Sequence, residues 1–317
     1  MQIAFVQNTK KDFGKMLAFT EAHQNLIKAV VPDANIVVLE EDEALQYQKI
    51  SDTEIIICEP SFLGNFSKEK FPKLVWAHVT YAGVDALPQQ IKDSSVLVTN
   101  SSGVHPIPIS QHVFAFIFMF ARGLHISHRI QVDEKKWLRT YDTFPIIEMQ
   151  EQTIGIVGFG RIGKEIDRLA KQLGMRVLVV TSREGDLDAL LKQSDYVVDA
   201  LPSTPTTQKF FNKEKFAKMK KSAYFINIGR GKTVDEKALI EILQKGEIAG
   251  AGLDVFEEEP LPETSPLWNL KNVIITPHYS GWTPHYMDRV VEIFCLNLKA
   301  YLGDKPMPNL VDKKKGY

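Results

Sequence analysis

Short apolar runs alternate with longer polar or amphipathic segments along almost the whole chain. The apolar runs have the length of strands, and the segments between them have the length and spacing of helices. Strands that alternate with helices are typical of parallel sheets covered by helices. The pattern therefore predicts an α/β fold with strands at residues 3–6, 36–39, 55–58, 74–78, 96–99, 153–157, 176–180, 196–199, 223–227, 249–254 and 273–276.

The predicted strands fall into two series that are separated near Pro106 and Pro108. We expect these prolines to interrupt regular structure before an apolar segment at residues 109–122. An amphipathic segment at residues 286–302 follows another proline-containing turn and is expected to return to the first domain. The chain is thus predicted to form two doubly wound parallel-sheet domains, the smaller from residues 1–102 and 286–317 and the larger from residues 103–285.

Composition adds limits on the class of protein. The chain has 317 residues, of which 44% are hydrophobic and 24% charged, and a net charge of −1, which gives no indication of nucleic acid or a membrane surface as partner. The longest apolar run, residues 113–121, is too short to cross a bilayer. Cys58 and Cys295 lie in apolar surroundings and are predicted to be buried thiols in a reducing compartment. No export signal is recognisable at the start, so we expect a cytoplasmic protein.

Residues 155–163 read GIVGFGRIG and contain three glycines spaced G-x-G-x-x-G. A predicted strand precedes them, and a segment with helical spacing follows at residues 162–173 before the next strand, which completes a βαβ unit. In such a unit Gly158 permits the tight turn, Gly160 lets the backbone approach a pyrophosphate, and Gly163 lets the helix pack on the strand. The stretch predicts a dinucleotide-binding turn in a Rossmann domain; the alternative is a plain glycine-rich loop.

The end of the next strand indicates which dinucleotide is bound. An acidic side chain there normally accepts a hydrogen bond from the ribose 2′-OH of NAD, but this chain has Thr181, Ser182 and Arg183. A guanidinium and two hydroxyls can bind a 2′-phosphate, and no carboxylate at these positions repels it. NADP(H) is therefore the preferred cofactor and NAD(H) a possible one. The alternative is a solvated turn whose arginine does not bind the cofactor. Asp186, a carboxylate of the kind that favours NAD, also lies nearby in the sequence.

Three later segments follow predicted strands and could carry chemistry. The first, residues 227–231, reads NIGRG and would place Arg230 at the carboxyl edge of a parallel sheet, where open α/β sheets bind ligands. A guanidinium can hold the carboxylate of a 2-oxo acid through two hydrogen bonds and polarise its carbonyl group. The alternative is a surface arginine.

The other two segments suggest an acid and histidine pair. Residues 253–260 read LDVFEEEP, and residues 276–281 read TPHYSG. Histidine can donate or accept a proton near neutral pH, and a nearby carboxylate orients the ring and raises its pKa. Reduction of a ketone requires such a proton donor. A solvated acidic loop at residues 257–259 and a structural role for His278 are the alternatives.

The glycine-rich turn and the three later segments, taken in their order along the chain, resemble the motifs of the D-isomer-specific 2-hydroxyacid dehydrogenase family. The resemblance covers almost the whole chain, because residues 81–85 (YAGVD) look like the family's substrate loop and residues 100–103 (NSSG) like its domain crossing. It implies that Arg230 binds the substrate carboxylate and carbonyl, that Glu259 pairs with the histidine, and that His278 is the general acid for reduction and base for oxidation.

The resemblance also implies the remaining contacts. Asp254 would hold the nicotinamide carboxamide, and backbone N–H groups around Ala82, Gly83 and Val84 would bind the substrate carboxylate. Tyr279 and Trp282 are candidates to line the substrate pocket. The full set of expected cofactor contacts is Gly158, Gly160, Arg161, Ile162, Gly163, Thr181, Ser182, Arg183, Leu201, Pro202, Thr207, Ile228, Gly229, Arg230, Asp254, His278 and Gly281.

Two positions depart from the family pattern. Thr181 replaces an acidic residue common in NAD-using members, and Gln111-His112 stands where many members carry an acidic residue. His112, like His105 and His285, is expected to be structural. The scattered histidines lack the spacing of metal ligands, so no metal site is predicted.

The expected function is hydride transfer between NADP(H) and a small 2-oxo or D-2-hydroxy acid, as in glyoxylate and hydroxypyruvate reductases. One alternative is an NAD-linked 3-phosphoglycerate dehydrogenase, which would need an extra basic cluster. Another is a non-catalytic, nucleotide-sensing protein like the family's corepressor relatives. The segment at residues 113–121 is apolar on all sides, and the resemblance suggests a homodimer through residues 109–140.

Overall fold

The computed structural model describes residues 1–10, 17–46, 48–84, 87–138 and 146–313. The chain divides into two compact units, one formed by Met1–His105 and Trp282–Tyr317 and the other by Pro106–Gly281. Each unit contains a parallel β-sheet with helices packed on it, which confirms the predicted α/β class with two parallel-sheet domains.

The first unit has a five-stranded sheet in the order β2-β1-β3-β4-β5. Apolar side chains cover both of its faces, and one face packs on α10 through Val290, Phe294 and Leu298. The strands are β1 (Gln2–Gln7), β2 (Asn35–Glu40), β3 (Ile55–Cys58), β4 (Trp76–Val79) and β5 (Leu97–Asn100), and the helices are α1 (Glu21–Lys28), α2 (Glu41–Ala44), α3 (Gln89–Lys92) and α10 (Tyr286–Leu302).

The second unit has a six-stranded sheet in the order β11-β10-β9-β8-β6-β7. The chain runs from β6 outward to β7 and then returns past β6 to β8, so the strand order reverses at β6; ligands bind beside the carboxyl ends of strands at such a reversal. Its strands are β6 (Thr153–Val157), β7 (Arg176–Val180), β8 (Tyr196–Asp199), β9 (Tyr224–Asn227), β10 (Gly250–Leu253) and β11 (Val273–Ile275). Its helices are α4 (Pro106–Ala121), α5 (Leu124–Arg129), α6 (Arg161–Gln172), α7 (Leu187–Gln193), α8 (Lys213–Phe216) and α9 (Glu236–Lys245).

Helix α4 begins at Pro106, so the prediction that the two prolines interrupt regular structure before residue 109 is wrong. Both prolines lie in the first turn, where backbone N–H groups have no partner within the helix and a missing N–H therefore costs nothing. Farther along, Phe116, Ile117 and Phe120 are buried against the sheet of this unit.

Both cysteines are buried and free, as predicted. Burial raises the pKa of the Cys58 thiol and raises that of Cys295 to about 11, so both stay protonated at neutral pH. Within the described ranges, no single helix is long and apolar enough to cross a bilayer. The segments Pro106–Ala121 and Leu124–Glu134 reach that length and composition only as a pair bent by 73°.

Candidate active site

The glycine-rich turn joins β6 to α6 with Gly160 as the N-cap of the helix. Gly158 has a φ of +98°, and a side chain there would meet the carbonyl oxygen of Ala200 at 2.7 Å. At Gly163 a Cβ would lie 2.4 Å from the Gly158 carbonyl oxygen, so the helix can pack this closely only on glycine. A Cβ at Gly160 would have no protein atom within 4 Å, which leaves room for a group outside the protein.

This turn fits the pyrophosphate of a dinucleotide. The N–H groups of Arg161, Ile162 and Gly163 belong to the first turn of a 12-residue helix, where backbone donors lack partners within the helix and the helix dipole favours negative charge. The open space at Gly160 lies at the same turn. The turn therefore has the donors and the room that a bound phosphate needs.

A tight loop from Thr181 to Gly185 follows β7. The Thr181 hydroxyl accepts hydrogen bonds from the N–H groups of Arg183 (3.1 Å) and Glu184 (3.0 Å), so it organises the loop backbone. The side chains of Ser182 and Arg183 are exposed. Asp186, the nearby carboxylate, caps α7 by accepting from the Ala189 N–H at 3.0 Å.

The loop after β8 contains other expected cofactor contacts. The Leu201 N–H donates to Asp199 Oδ1 at 2.9 Å, and the Thr207 hydroxyl donates to the carbonyl oxygen of Pro202 at 2.6 Å. Ile228 and Gly229, which follow β9, adjoin this loop: the Ile228 N–H donates to the Asp199 carbonyl, and a Cβ on Gly229 would meet the Leu201 carbonyl oxygen at 2.7 Å.

Arg230 follows β9 in a loop fixed from several sides. The Asn227 side chain accepts from the Gly229 N–H at 3.0 Å, and one Arg230 Nη donates to the Gly229 carbonyl at 2.9 Å. A Cβ on Gly231 would lie 1.7 Å from the Phe256 carbonyl oxygen, so only glycine permits this approach. The loop carrying Arg230 therefore lies directly against the loop that leads to Glu259.

Glu259 and His278 form a hydrogen-bonded pair, with His278 Nδ1 2.7 Å from Glu259 Oε2. The other oxygen, Oε1, accepts from the Phe256 N–H at 2.9 Å, which holds the carboxylate in place. The His278 side chain is 51% exposed. Because an ionised carboxylate only accepts, Nδ1 carries the hydrogen in this pair and Nε2 is left to exchange a proton with a ligand.

The electrostatics of the pair bring Arg230 into the same site. The hydrogen bond that His278 Nδ1 donates to Glu259 raises the pKa of His278, against the effects of burial and of the Arg230 charge. Burial raises the pKa of Glu259, but hydrogen bonds from His278 and the Phe256 N–H, together with the charges of His278 and Arg230, outweigh it and lower the pKa overall. The three residues therefore lie near one another, with Glu259 ionised and His278 able to hold a proton near neutral pH.

The backbone at His278 adopts a left-handed conformation, with a φ of +52°. This conformation is unfavourable for residues other than glycine, so neighbouring contacts must maintain it. The almost fully buried Asp254 supplies them: its carboxylate accepts from the N–H groups of Tyr279 (3.1 Å) and Ser280 (3.1 Å) and from the Thr276 hydroxyl (2.6 Å). Both oxygens are thus engaged within the protein, and a ligand carboxamide would have to share them.

The expected substrate loop belongs to the first unit. Asn100 donates from its side-chain amide to the carbonyl oxygen of Ala82 at 2.9 Å, and Val84 is buried in the core of that unit. Gly83 lies between them, partly exposed. Asp85, which completes the motif, lies outside the described residues.

Two further residues lie beside the site: His112, which was expected to be structural, and Asp199, which was not predicted from the sequence. His112 lies with Nε2 3.0 Å from the Thr276 hydroxyl that binds Asp254, and it packs edge-on against Tyr279. Asp199, fully buried, contacts Thr233 beside the Arg230 loop. Asp199 does have a signal in the sequence, because it is the one charged residue of the strand Tyr196–Asp199 and occupies its carboxyl end.

The chain is similar in sequence to known proteins. Residues 114–280 match the NAD-binding domain of the D-isomer specific 2-hydroxyacid dehydrogenases. A glyoxylate reductase from Thermococcus kodakarensis is 42% identical over 258 residues, which cover 74% of this chain and 75% of that protein.

Solved structures show the same fold over nearly the whole chain. A D-isomer specific 2-hydroxyacid dehydrogenase family protein from Aeromonas salmonicida superposes with a TM-score of 0.80 at 29% identity, covering 98% of this chain and 99% of that one. A probable 2-hydroxyacid dehydrogenase from Rhizobium etli, solved with NADP, HEPES and L(+)-tartaric acid, superposes with a TM-score of 0.74 at 25% identity, covering 100% and 99%.

Proposed function

The chain belongs to the D-isomer specific 2-hydroxyacid dehydrogenase family, an enzyme family, and we propose that it reduces a small 2-oxo acid, such as glyoxylate or hydroxypyruvate, with NADPH. The observation that carries the proposal is the Glu259–His278 pair near Arg230 at the carboxyl edge of the second sheet. A proton donor beside a fixed guanidinium is what reduction of a 2-oxo acid requires. The glyoxylate reductase of Thermococcus kodakarensis supports this choice of substrate.

Each residue of the site has a distinct role in this reaction. When bound, NADPH would supply the hydride that reduces the carbonyl carbon. His278 donates the proton to the carbonyl oxygen from Nε2, while Glu259 holds Nδ1 and stabilises the protonated ring. Arg230 binds the substrate carboxylate and stabilises the negative charge that develops on the carbonyl oxygen. In the oxidation of a 2-hydroxy acid, neutral His278 accepts the proton instead.

The preference for NADPH rests on the loop after β7. Ser182 and Arg183 expose a hydroxyl and a guanidinium there, and both can bind a phosphate. Asp186 caps the start of α7, which leaves its carboxylate less able to bind a ribose hydroxyl. The NADP bound to the Rhizobium etli protein supports the proposal by showing that a protein of this fold accepts that cofactor.

A panel of 2-oxo acids assayed with NADPH and NADH in parallel tests the proposed reaction. The panel includes glyoxylate, hydroxypyruvate, phenylpyruvate, a branched 2-oxo acid and 3-phosphohydroxypyruvate. We expect turnover of glyoxylate or hydroxypyruvate, with a higher kcat/KM for NADPH. A strong preference for the phosphorylated acid with NADH would instead indicate a 3-phosphoglycerate dehydrogenase. Cofactor binding without turnover of any acid would indicate a nucleotide-sensing protein. We also propose that the protein works in a reducing compartment, as expected from its two buried cysteines.

Replacing Glu259 by glutamine is expected to move the pH dependence of both reaction directions. Glutamine removes the charge that raises the pKa of His278, so this pKa falls. Oxidation needs neutral His278, and its acidic limb should move to lower pH. Reduction needs protonated His278, and its alkaline limb should also move to lower pH. Rate profiles of kcat/KM in the two directions check this, with Glu258→Gln as the control on the neighbouring acidic residue; profiles that match wild type would remove Glu259 from the pair.

We also propose that two copies of the chain associate through residues 109–140, of which 139 and 140 lie outside the described residues. Beyond α4, the chain exposes Leu124, Val132 and Leu138, and the Trp137 side chain is 94% exposed. Several exposed apolar side chains in one short segment are typical of an interaction surface. A second copy supplies the same apolar surface, and self-complementary contacts of this kind give two-fold dimers.

Light scattering coupled to size exclusion is expected to give twice the chain mass of 35.9 kDa at micromolar concentration. Trp137→Glu should shift the distribution toward the monomer, because a charge would be buried in the interface. Trp268→Glu is the matched control, since Trp268 is 51% exposed but lies outside this surface. A monomeric mass for the unmodified protein would count against the dimer.

A further inference from the structure

Asp199 is a fully buried carboxyl group at the carboxyl end of β8. Its Oδ1 accepts from the Leu201 N–H at 2.9 Å, and its Oδ2 lies 2.5 Å from the Thr233 hydroxyl. Removing an ionised carboxylate from water is costly unless a cation compensates it. Burial raises the pKa of Asp199 to about 7, against the hydrogen bonds from Thr233 and Leu201 that lower it.

The hydroxyl of Thr233 has two oxygen neighbours at short distance. It lies 2.5 Å from Asp199 Oδ2 and 2.6 Å from the backbone carbonyl oxygen of Arg230. A carbonyl oxygen can only accept a hydrogen bond, and so can an ionised carboxylate, whereas a threonine hydroxyl has a single hydrogen. If Asp199 were ionised, one of the two short contacts would contain no hydrogen. If Asp199 is protonated, its O–H donates to Thr233, and the Thr233 O–H donates to Arg230.

We propose that Asp199 works in its protonated form and, by donating a hydrogen bond to Thr233, acts as a positioning residue for Arg230. The relay joins the loop after β8 to the loop after β9, and both loops form the candidate active site. The Arg230 carbonyl oxygen also accepts from the Asn227 amide at 3.3 Å and from the Thr233 backbone N–H at 3.1 Å, so the relay adds a further hydrogen bond to an oxygen that fixes the loop. The link to substrate binding rests on the proposed function, whereas the protonation of Asp199 does not.

Loss of this proton removes one hydrogen from a relay that needs two. As the pH rises through about 7, the Arg230 loop then becomes less well fixed, and the KM for the 2-oxo acid should increase. The segments around Asp199 also carry Arg161 after β6, Arg230 and Lys232 after β9, and Asp235 at the start of α9. Arginine, lysine and aspartate side chains do not ordinarily change charge between about pH 6 and 8. His278, after β11, can change its charge in this range. A variant must therefore distinguish the pH effect of Asp199 from that of His278.

Asp199→Asn is the variant that separates the two groups. The amide has nearly the same shape, can donate to Thr233 and accept from Leu201, and cannot ionise. Infrared spectra of the protein without substrate should show a protonated-carboxyl C=O band for the wild type at about pH 6. This band should fade as the pH passes about 7 and be absent from Asp199→Asn at every pH. Identical carboxyl bands for the two proteins at about pH 6 would overturn the proposal.

The positioning of Arg230 is tested without substrate by hydrogen exchange. In Thr233→Val, which removes the relay, the amides of residues 228–234 should exchange about tenfold faster, the effect of losing roughly one hydrogen bond. Thr233→Ser keeps the hydroxyl and should match the wild type. Equal exchange in Thr233→Val and Thr233→Ser would show that the relay does not hold the loop, whatever reaction the enzyme catalyses.

Kinetics then connect the relay to substrate binding. Thr233→Val should raise the KM for glyoxylate about tenfold while the KM for NADPH stays within about twofold, and Thr233→Ser should restore the low value. The wild-type KM for glyoxylate should rise above about pH 7, and that of Asp199→Asn should stay constant while its kcat still follows His278. The same rise in both proteins would overturn the role of Asp199 in positioning.

Discussion

Replacing His278 or Arg230 by alanine is expected to lower kcat/KM for the 2-oxo acid by about a hundredfold or more, the usual contribution of a general acid or a charge-stabilising donor. His278→Ala removes the proton donor that Glu259 holds at 2.7 Å. Arg230→Ala removes the guanidinium expected to bind the substrate carboxylate. In Arg230→Ala the KM should rise and kcat should fall, because the charge acts on both the bound substrate and the transition state.

Two measurements separate this loss from a loss of folding or of cofactor binding. The thermal midpoint should stay close to the wild-type value. The Kd for NADPH should change far less than kcat/KM, because both side chains act at the reacting carbonyl and each is only one of many expected cofactor contacts. His285→Ala and Arg168→Ala are matched controls, since each removes a like side chain that is largely exposed and bound to a neighbouring carboxylate. Near-normal turnover in either His278→Ala or Arg230→Ala would defeat the assignment of that residue.

The second large effect is expected in the choice of cofactor. Arg183→Ala should weaken the use of NADPH by about 1.5 to 3 kcal/mol, the range for a hydrogen bond to a charged group, and leave the use of NADH nearly unchanged. Thr181→Asp should go further and invert the preference. A carboxylate there can accept the ribose 2′-OH of NADH and repels the 2′-phosphate of NADPH.

The measurement is kcat/KM for the two cofactors at saturating 2-oxo acid. Arg176→Ala is the matched control, because Arg176 is an exposed arginine at the opposite end of the same strand. If the unmodified enzyme favours NADH, or if Arg183→Ala weakens both cofactors equally, Arg183 is a solvated turn residue. The proposed preference for NADPH would then be wrong.

Much of the fold could be predicted because the buried strands of a parallel sheet are almost continuous apolar runs in the sequence. The predicted bounds of β6, β7 and β8 match the structure, since short apolar runs between polar segments have few other solutions. The start of α4 was predicted wrongly because proline is a helix breaker only beyond the first turn. Sequence spacing alone does not show whether a proline lies inside or at the start of a helix.

The sequence by itself determined the α/β class, the glycine turn and the residue types available for chemistry, because these depend on short-range periodicity and composition. Only the tertiary structure decided which groups meet. The order β11-β10-β9-β8 places loops from neighbouring strands side by side, and so joins Glu259 to His278 across 19 positions of sequence and Asp199 to Thr233 across 34. Of the three consecutive glutamates at residues 257–259, Glu259 is the one that reaches His278. Each contact depends on the direction and burial of the side chain, and neither can be deduced from the spacing of residues in the sequence.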